Sequence, residues 1–164
     1  DIAAIHDAVK TSFPHNVNFA VIKAYALFRR VSLNKFIVQW EISGNIRDIV
    51  EQLMSEDVLV GVAVGPETPI VDLEPVLEFL DCVTIMTVVP GKQGQDFLAE
   101  NLKKIQELQD EGFFGEIQVD GGVNEEDIKS IVSFRPETVI VGSYIVKSED
   151  PSRAFQDLTL ISGN

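Results

Sequence analysis

Apolar and polar positions recur along this chain with two periods. Helical spacing marks Asp1–Thr11, through Ile2, Ile5 and Val9, and Lys23–Val31, through Tyr25, Leu27, Phe28 and Val31. Between them Phe13-Pro14-His15-Asn16 breaks the chain, and Val17–Ile22 reads as a short strand. Strands are predicted again at Phe36–Ile42, Val58–Val64, Cys82–Val88, Gly115–Asp120 and Thr138–Val141. The run Val58–Val64 is almost continuously apolar, as expected of a strand covered on both faces. Helices are predicted from Ser43-Gly44-Asn45 through Met54, over Asp72–Leu80 and over Gln95–Glu111. The last is the longest, with Phe97, Leu98, Leu102, Ile105 and Leu108 on one stripe and Gly112 as its stop. Asn124 is read as the cap of a helix opening at Glu125-Glu126-Asp127, and Asp150-Pro151 as the cap and first position of a final helix.

Six strands alternating with helices over short connections predict a parallel α/β architecture in one domain, residues 1–164. Periodicity leaves two arrangements open, a doubly wound open sheet and a (β/α)8 barrel. Length mildly disfavours a whole barrel, which takes roughly 250 residues. Three strands end in a glycine-punctuated polar turn: Met86 leads to Pro90-Gly91-Lys92-Gln93-Gly94, Asp120 to Gly121-Gly122, and Val141 to Gly142-Ser143. Strand ends of this kind are where α/β proteins build sites.

Composition narrows the possibilities. Apolar residues make up 45% and charged residues 24%, which suits a globular chain. No apolar run approaches the roughly 20 residues of a membrane helix, and the opening residues have neither the basic region nor the apolar core of a signal peptide. Cys82 is the one cysteine, so neither a disulfide framework nor a cysteine zinc site is expected. A cytoplasmic location is expected. The net charge of −13 is spread evenly, −6 over residues 1–82 and −7 over 83–164. Nucleic acid and anionic membrane are therefore not expected as partners, since both need a basic face. A small phosphate remains possible, because backbone N–H groups can hold one in an unfavourable overall field.

Four motifs stand in order, each at a strand end: Gly65-Pro66-Glu67-Thr68-Pro69-Ile70, Met86–Gln95, Val119–Val123 and Val141-Gly142-Ser143. Together they resemble ribulose-phosphate 3-epimerase. The resemblance is clear from about Phe36 to Asp150 and fainter back to Asp1. It implies a phosphate-binding (β/α)8 barrel, shortened or incomplete, with about six β/α units. Aligned by motif, Asp1 falls in the second helix of the barrel, and the six strands correspond to barrel strands three to eight. Six parallel strands leave two edges, and their cover is expected from a partner chain, as in a homo-oligomer, or from an N-terminal segment.

Members of that family move a proton at the carbon beside a ketone, interconverting D-ribulose 5-phosphate and D-xylulose 5-phosphate. Two aspartates serve the two faces of the carbon, and a divalent metal such as zinc, iron or manganese steadies the enediolate. The metal is held by two histidines and the two aspartates. By resemblance, Asp120 matches the second aspartate and is the catalytic candidate. The first aspartate and one histidine have no counterpart. The other ligand histidine falls at Asn18, a poor ligand for a transition metal, and a further site histidine falls at Gln39, whose companion Glu41 is kept. His6 and His15 read as surface residues. No tightly bound metal or other cofactor is therefore expected.

The phosphate end is better kept. Gly121, Gly122, Gly142 and Ser143 match the phosphate turns, where glycine lets the backbone approach the anion. The glycines are also what turns need by themselves. Gly91 and Gly94 belong to a loop over the substrate, in which Lys92 and Gln93 replace an aromatic residue and a glycine. Met86 matches an apolar wall of the site and equally suits a core. Three readings follow: an epimerase, a sugar-phosphate-binding domain without turnover, and a scaffold reusing the fold. Related decarboxylase and hexulose-phosphate synthase barrels share an Asp-Gly-Gly-like strand, but Met86–Gln95 resembles the epimerase loop.

Overall fold

The computed structural model describes residues 34–42, 45–56, 58–89 and 95–162. Five strands, β1 (Lys35–Gln39), β2 (Leu59–Val64), β3 (Cys82–Met86), β4 (Glu116–Asp120) and β5 (Thr138–Ile140), form one all-parallel sheet in sequential order. These match five of the six predicted strands to within three residues. The sixth, Val17–Ile22, and the helices predicted over Asp1–Thr11 and Lys23–Val31 lie outside the described residues. A doubly wound sheet reverses its strand order at a switch point. Strictly sequential order instead belongs to a singly wound arc, the topology of a barrel wall.

Register explains the two faces. Paired residues share a face, and faces alternate along each strand. One face carries Phe36, Val38, Val60, Val62, Val64, Val83, Ile85, Ile117, Val119 and Val139. It is wholly apolar and packs in the main core with Val50 and Leu53 of α1 (Ile46–Met54), Ile105 and Leu108 of α2 (Lys103–Asp110), Ile128 and Ile131 of α3 (Ile128–Ser133), and Leu158 of α5 (Pro151–Ser162). The short α4 (Ser143–Val146) lies between α3 and α5 in sequence. The other face carries Lys35, Gln39, Thr84, Glu116, Gln118, Asp120 and Thr138 among smaller or apolar residues. Its apolar members Ile37, Leu59, Met86 and Ile140 stand outside the main core.

That second face is concave. Lys35 of β1 pairs with Glu116 of β4, and Glu116 also accepts from Thr138 of β5. Three strand spacings of about 4.8 Å separate β1 from β4. Side chains standing upright on a flat sheet would not meet across that gap, so the contact records an inward curl. Thr84 and Gln118 are hydrogen-bonded at 2.9 Å within the same face.

Two helix expectations are corrected. Asp72–Leu80 forms two 3-10 turns, Ile70–Leu73 and Leu77–Phe79. Pro75 has no N–H and stops an α-helical ladder, and the observed bonds are the tighter ones, Glu74 N–H to Val71 O at 3.1 Å and Val76 N–H to Leu73 O at 2.9 Å. Gln95–Leu98 is not helical, and the Leu98 N–H is taken by Thr87 O at 2.8 Å. The element begins instead with a 3-10 turn, Ala99–Leu102, and continues as α2. Its stop is as expected: Gly112 has φ of 74°. Gly112 N–H bonds Gln109 O at 3.1 Å and Phe113 N–H bonds Leu108 O at 3.0 Å, which is a Schellman ending. Asp150 caps α5 through Arg153 N–H at 3.0 Å. α4, after β5, has no counterpart among the predicted elements.

The Lys35–Glu116 pair makes stability depend on pH. The hydrogen bond from Lys35, with those from Thr138 and Gln118, lowers Glu116 to about 2. The unfolded carboxyl titrates at about 4.3. Between these values the unfolded state binds more protons, so stability is full above the higher value and is lost as pH falls toward the lower one. The side chains are 30% and 29% exposed, and solvent screening trims the expected loss to about 1–2 kcal/mol. Urea unfolding from pH 5 to pH 2.5 measures it, and Lys35→Met should flatten that part of the profile.

Candidate functional site

Because all five strands run the same way, their C-terminal ends form one rim. Gln39, Met86, Asp120 and Ile140 lie on its concave side. Met86 and Asp120 are register partners on adjacent strands. Thr87, wholly buried, stitches these two strand ends together. Its N–H donates to Asp120 O at 2.8 Å, and its hydroxyl donates to Gly121 O at 2.6 Å and to Asp120 O at 3.1 Å. Asn101 holds the other strand end through Met86 O at 2.9 Å. The backbone of the catalytic candidate is thus fixed from β3.

The Asp120 side chain is half-buried, and burial raises its pKa. Desolvation without a compensating cation disfavours the ionised form. The two glycines after it are required by geometry. Gly121 has φ of 123° and Gly122 of 68°. A β-carbon on Gly121 would lie 2.5 Å from Val88 Cγ2, and one on Gly122 would lie 2.9 Å from both Gln95 O and Phe97 N. The turn therefore packs directly on the two segments that flank residues 90–94.

An open cleft of about 400 Å³ lies beside this turn, lined by Gln95, Gly122, Val123, Asn124, Ser143, Tyr144, Lys147 and Ser148. It brings the Gly122 and Ser143 candidates together from the loops after β4 and β5. Gly121 and Gly142 are adjacent in sequence but do not line it. Gly142 has φ of −106°, and a β-carbon there would meet nothing within 4 Å. Neither backbone conformation nor packing requires glycine at this position. Tyr144, which lines the cleft, donates to Glu125 Oε2 at 3.1 Å. Asn124 is committed to its turn, accepting from Glu126 N–H at 2.8 Å and Asp127 N–H at 3.3 Å. Lys147, exposed and four residues after Ser143, puts a cation on the rim. The sequence reading missed it, because its link to Ser143 depends on the one-turn α4.

At the far end of the rim Gln39 donates to Glu41, which also accepts from Gly65 N–H at 2.7 Å and from Thr68. Burial works against the Glu41 charge, but these hydrogen bonds outweigh it and hold its pKa below the usual value. Asn18, Gly91 and Gly94 lie outside the described residues, as do Lys92, Gln93, His6 and His15. Among the described residues no three His, Cys, Asp or Glu side chains gather into a metal-ligating group, and no helix is long and apolar enough to cross a membrane.

The sequence model of the ribulose-phosphate 3 epimerase family matches residues 4–146. The ribulose-phosphate 3-epimerase of Schizosaccharomyces pombe is 28% identical over 123 residues, covering 75% of this chain and 54% of its own. That of Buchnera aphidicola is 32% identical over 138 residues, covering 80% of this chain and 60% of its own. The chain therefore spans little more than half the length of these relatives. A chain in the crystal structure of the Amycolatopsis orientalis BexX/CysO complex superposes with a TM-score of 0.57 at 17% identity, over 77% of this chain and 53% of that one. That likeness concerns the fold alone.

Two contrasts separate structural from functional constraint. Gly122→Ala should cost about 1–3 kcal/mol, from its positive φ and the backbone it would strike, while Gly142→Ala should stay within about 0.5 kcal/mol; urea midpoints compare them. Asp120→Asn should raise the urea midpoint at pH 7, because it removes a charge whose burial is uncompensated. For a carboxyl with a raised folded pKa stability grows as pH falls through that value, so the gain should shrink in acid.

Proposed function

The chain belongs to the ribulose-phosphate 3-epimerase family, and from that membership we propose that it binds a small phosphorylated sugar across the C-terminal rim of its sheet. The observation that carries this reading is the cleft in which Gly122, Ser143 and Lys147 meet, two residues along the chain from Asp120. A tight glycine turn, a hydroxyl and a cation suit a phosphate group. The sugar then extends along the rim toward Asp120 and Met86.

Epimerisation asks more of the site. A base on one face of the carbon removes the proton, and a second group returns it on the other. Asp120 can serve one face. Its raised pKa brings the carboxyl nearer to the range useful for proton transfer. The other polarisable groups described on the rim are the Met86 thioether beside it and the Gln39 amide at the far end, and neither titrates in the ordinary range. The divalent metal that the family implies does not fit these groups either. One carboxylate with a thioether and an amide is not a donor set for zinc, iron or manganese. The reading for the described chain is therefore sugar-phosphate binding, with Asp120 as the one retained proton-transfer group.

Incubation with D-ribulose 5-phosphate in D₂O, followed by NMR, tests it. The expected result is broadening of the sugar-phosphate signals that inorganic phosphate reverses, without formation of xylulose 5-phosphate. Lys147→Ala should weaken binding about three- to tenfold, as for an exposed charge pair. Xylulose 5-phosphate formation abolished by Asp120→Asn would replace this reading with the epimerase itself. No effect on any signal would remove the sugar-phosphate reading altogether.

A further inference from the structure

We propose that Gln39 determines specificity at the rim by presenting its amide oxygen as the acceptor for a hydroxyl group of the bound sugar. The proposal rests on the sugar-phosphate reading above and adds which part of the ligand is recognised, and by what. Gln39 is the last residue of β1, half-buried on the concave face. Its amide has two ends, and the structure commits one of them. Glu41 is held ionised by its hydrogen bonds, and an ionised carboxylate only accepts. The Gln39 group facing it is therefore the NH₂, and the carbonyl oxygen is the end left for a ligand.

This orientation is braced from behind. Glu41 Oε1 accepts from Gly65 N–H at 2.7 Å and from the Thr68 hydroxyl. The carbonyls of Gly65 and Pro66 accept in turn from the buried Lys104 ammonium, at 2.6 Å and 2.8 Å. A second shell of this kind fixes the direction of a recognition group. Glu41 thus acts as a positioning residue for Gln39.

Charge decides what the oxygen meets. The groups at this end of the rim are acceptors, the Gln39 amide oxygen and the Glu41 carboxylate behind it, and the apolar Met86 stands between Gln39 and Asp120 along the sheet. A phosphate is repelled here and goes to the cation at Lys147. The complementary ligand group is a donor, and on a sugar phosphate that is a hydroxyl. An amide does not change its protonation state in the ordinary pH range, so Gln39 recognises rather than catalyses. An acceptor that a ligand covers on binding discriminates against ligands that leave it unpaired.

Calorimetric titration of the chain with D-ribulose 5-phosphate and with inorganic phosphate tests the proposal. The expected wild-type result is tighter binding of the sugar phosphate. Gln39→Leu should cut that preference about three- to tenfold, the value of one hydrogen bond, and leave phosphate affinity unchanged. Gln39→His should keep the preference, because Glu41 would take the Nδ1–H and leave Nε2 as an acceptor. The proposal is overturned if Gln39→Leu leaves the preference intact, lowers both affinities alike, or is matched by Gln39→His. If phosphate binds and the sugar phosphate binds no tighter, the proposal alone fails. If neither ligand binds the wild-type chain, the sugar-phosphate reading falls with it.

Discussion

Burial of Val60, Val62 and Val64 against the helical layer holds β2 in one register. A slip of one residue would turn those valines onto the concave face and put Gly61 and Ala63 under the helices, so the alternatives are strongly disfavoured. Register then propagates through the sheet. Gln39 pairs with Ala63, Ala63 with Thr84, and Thr84 with Gln118, while Met86 and Asp120 form the next level up. The polar residues of the rim reach their places because the apolar ones have nowhere else to go.

The strands were legible for that reason. Their apolar runs and punctuating glycines report burial and turn geometry, both of which are local properties of the sequence. The helices were less so. Pro75 lies in plain view within Asp72–Leu80, the stretch expected to be one helix, and breaks it into two 3-10 turns. The start of the long element after β3 was hidden more deeply. Only the fold reveals that Thr87 O takes the Leu98 N–H, and that Gly122 backs onto Gln95 and Phe97.

The candidate site divides along the same line. Asp120, Gly122 and Ser143 stand in motifs, and the fold brings the last two into one cleft. Gly142 stands in a motif too, but the backbone there makes no demand for glycine. Lys147 carried no sequence signal and Thr87 none beyond its place in the Met86–Gln95 motif, because their importance arises from what lies beside them after folding. The rim is accordingly asymmetric. Its β4–β5 end offers a cation and a glycine turn, and its β1–β3 end offers acceptors and a thioether. A ligand of mixed character has one sensible way to lie across it.

Lys104 adds a mechanical consequence. It sits on an outer helix, yet its ammonium grips the peptide oxygens of the loop whose Gly65 N–H and Thr68 hydroxyl donate to Glu41. The wall of the arc is thereby threaded, from helix to loop to carboxylate to amide. A substitution on the outside of the sheet that shifts α2 would be felt at Gln39, without any change in the residues that a ligand touches.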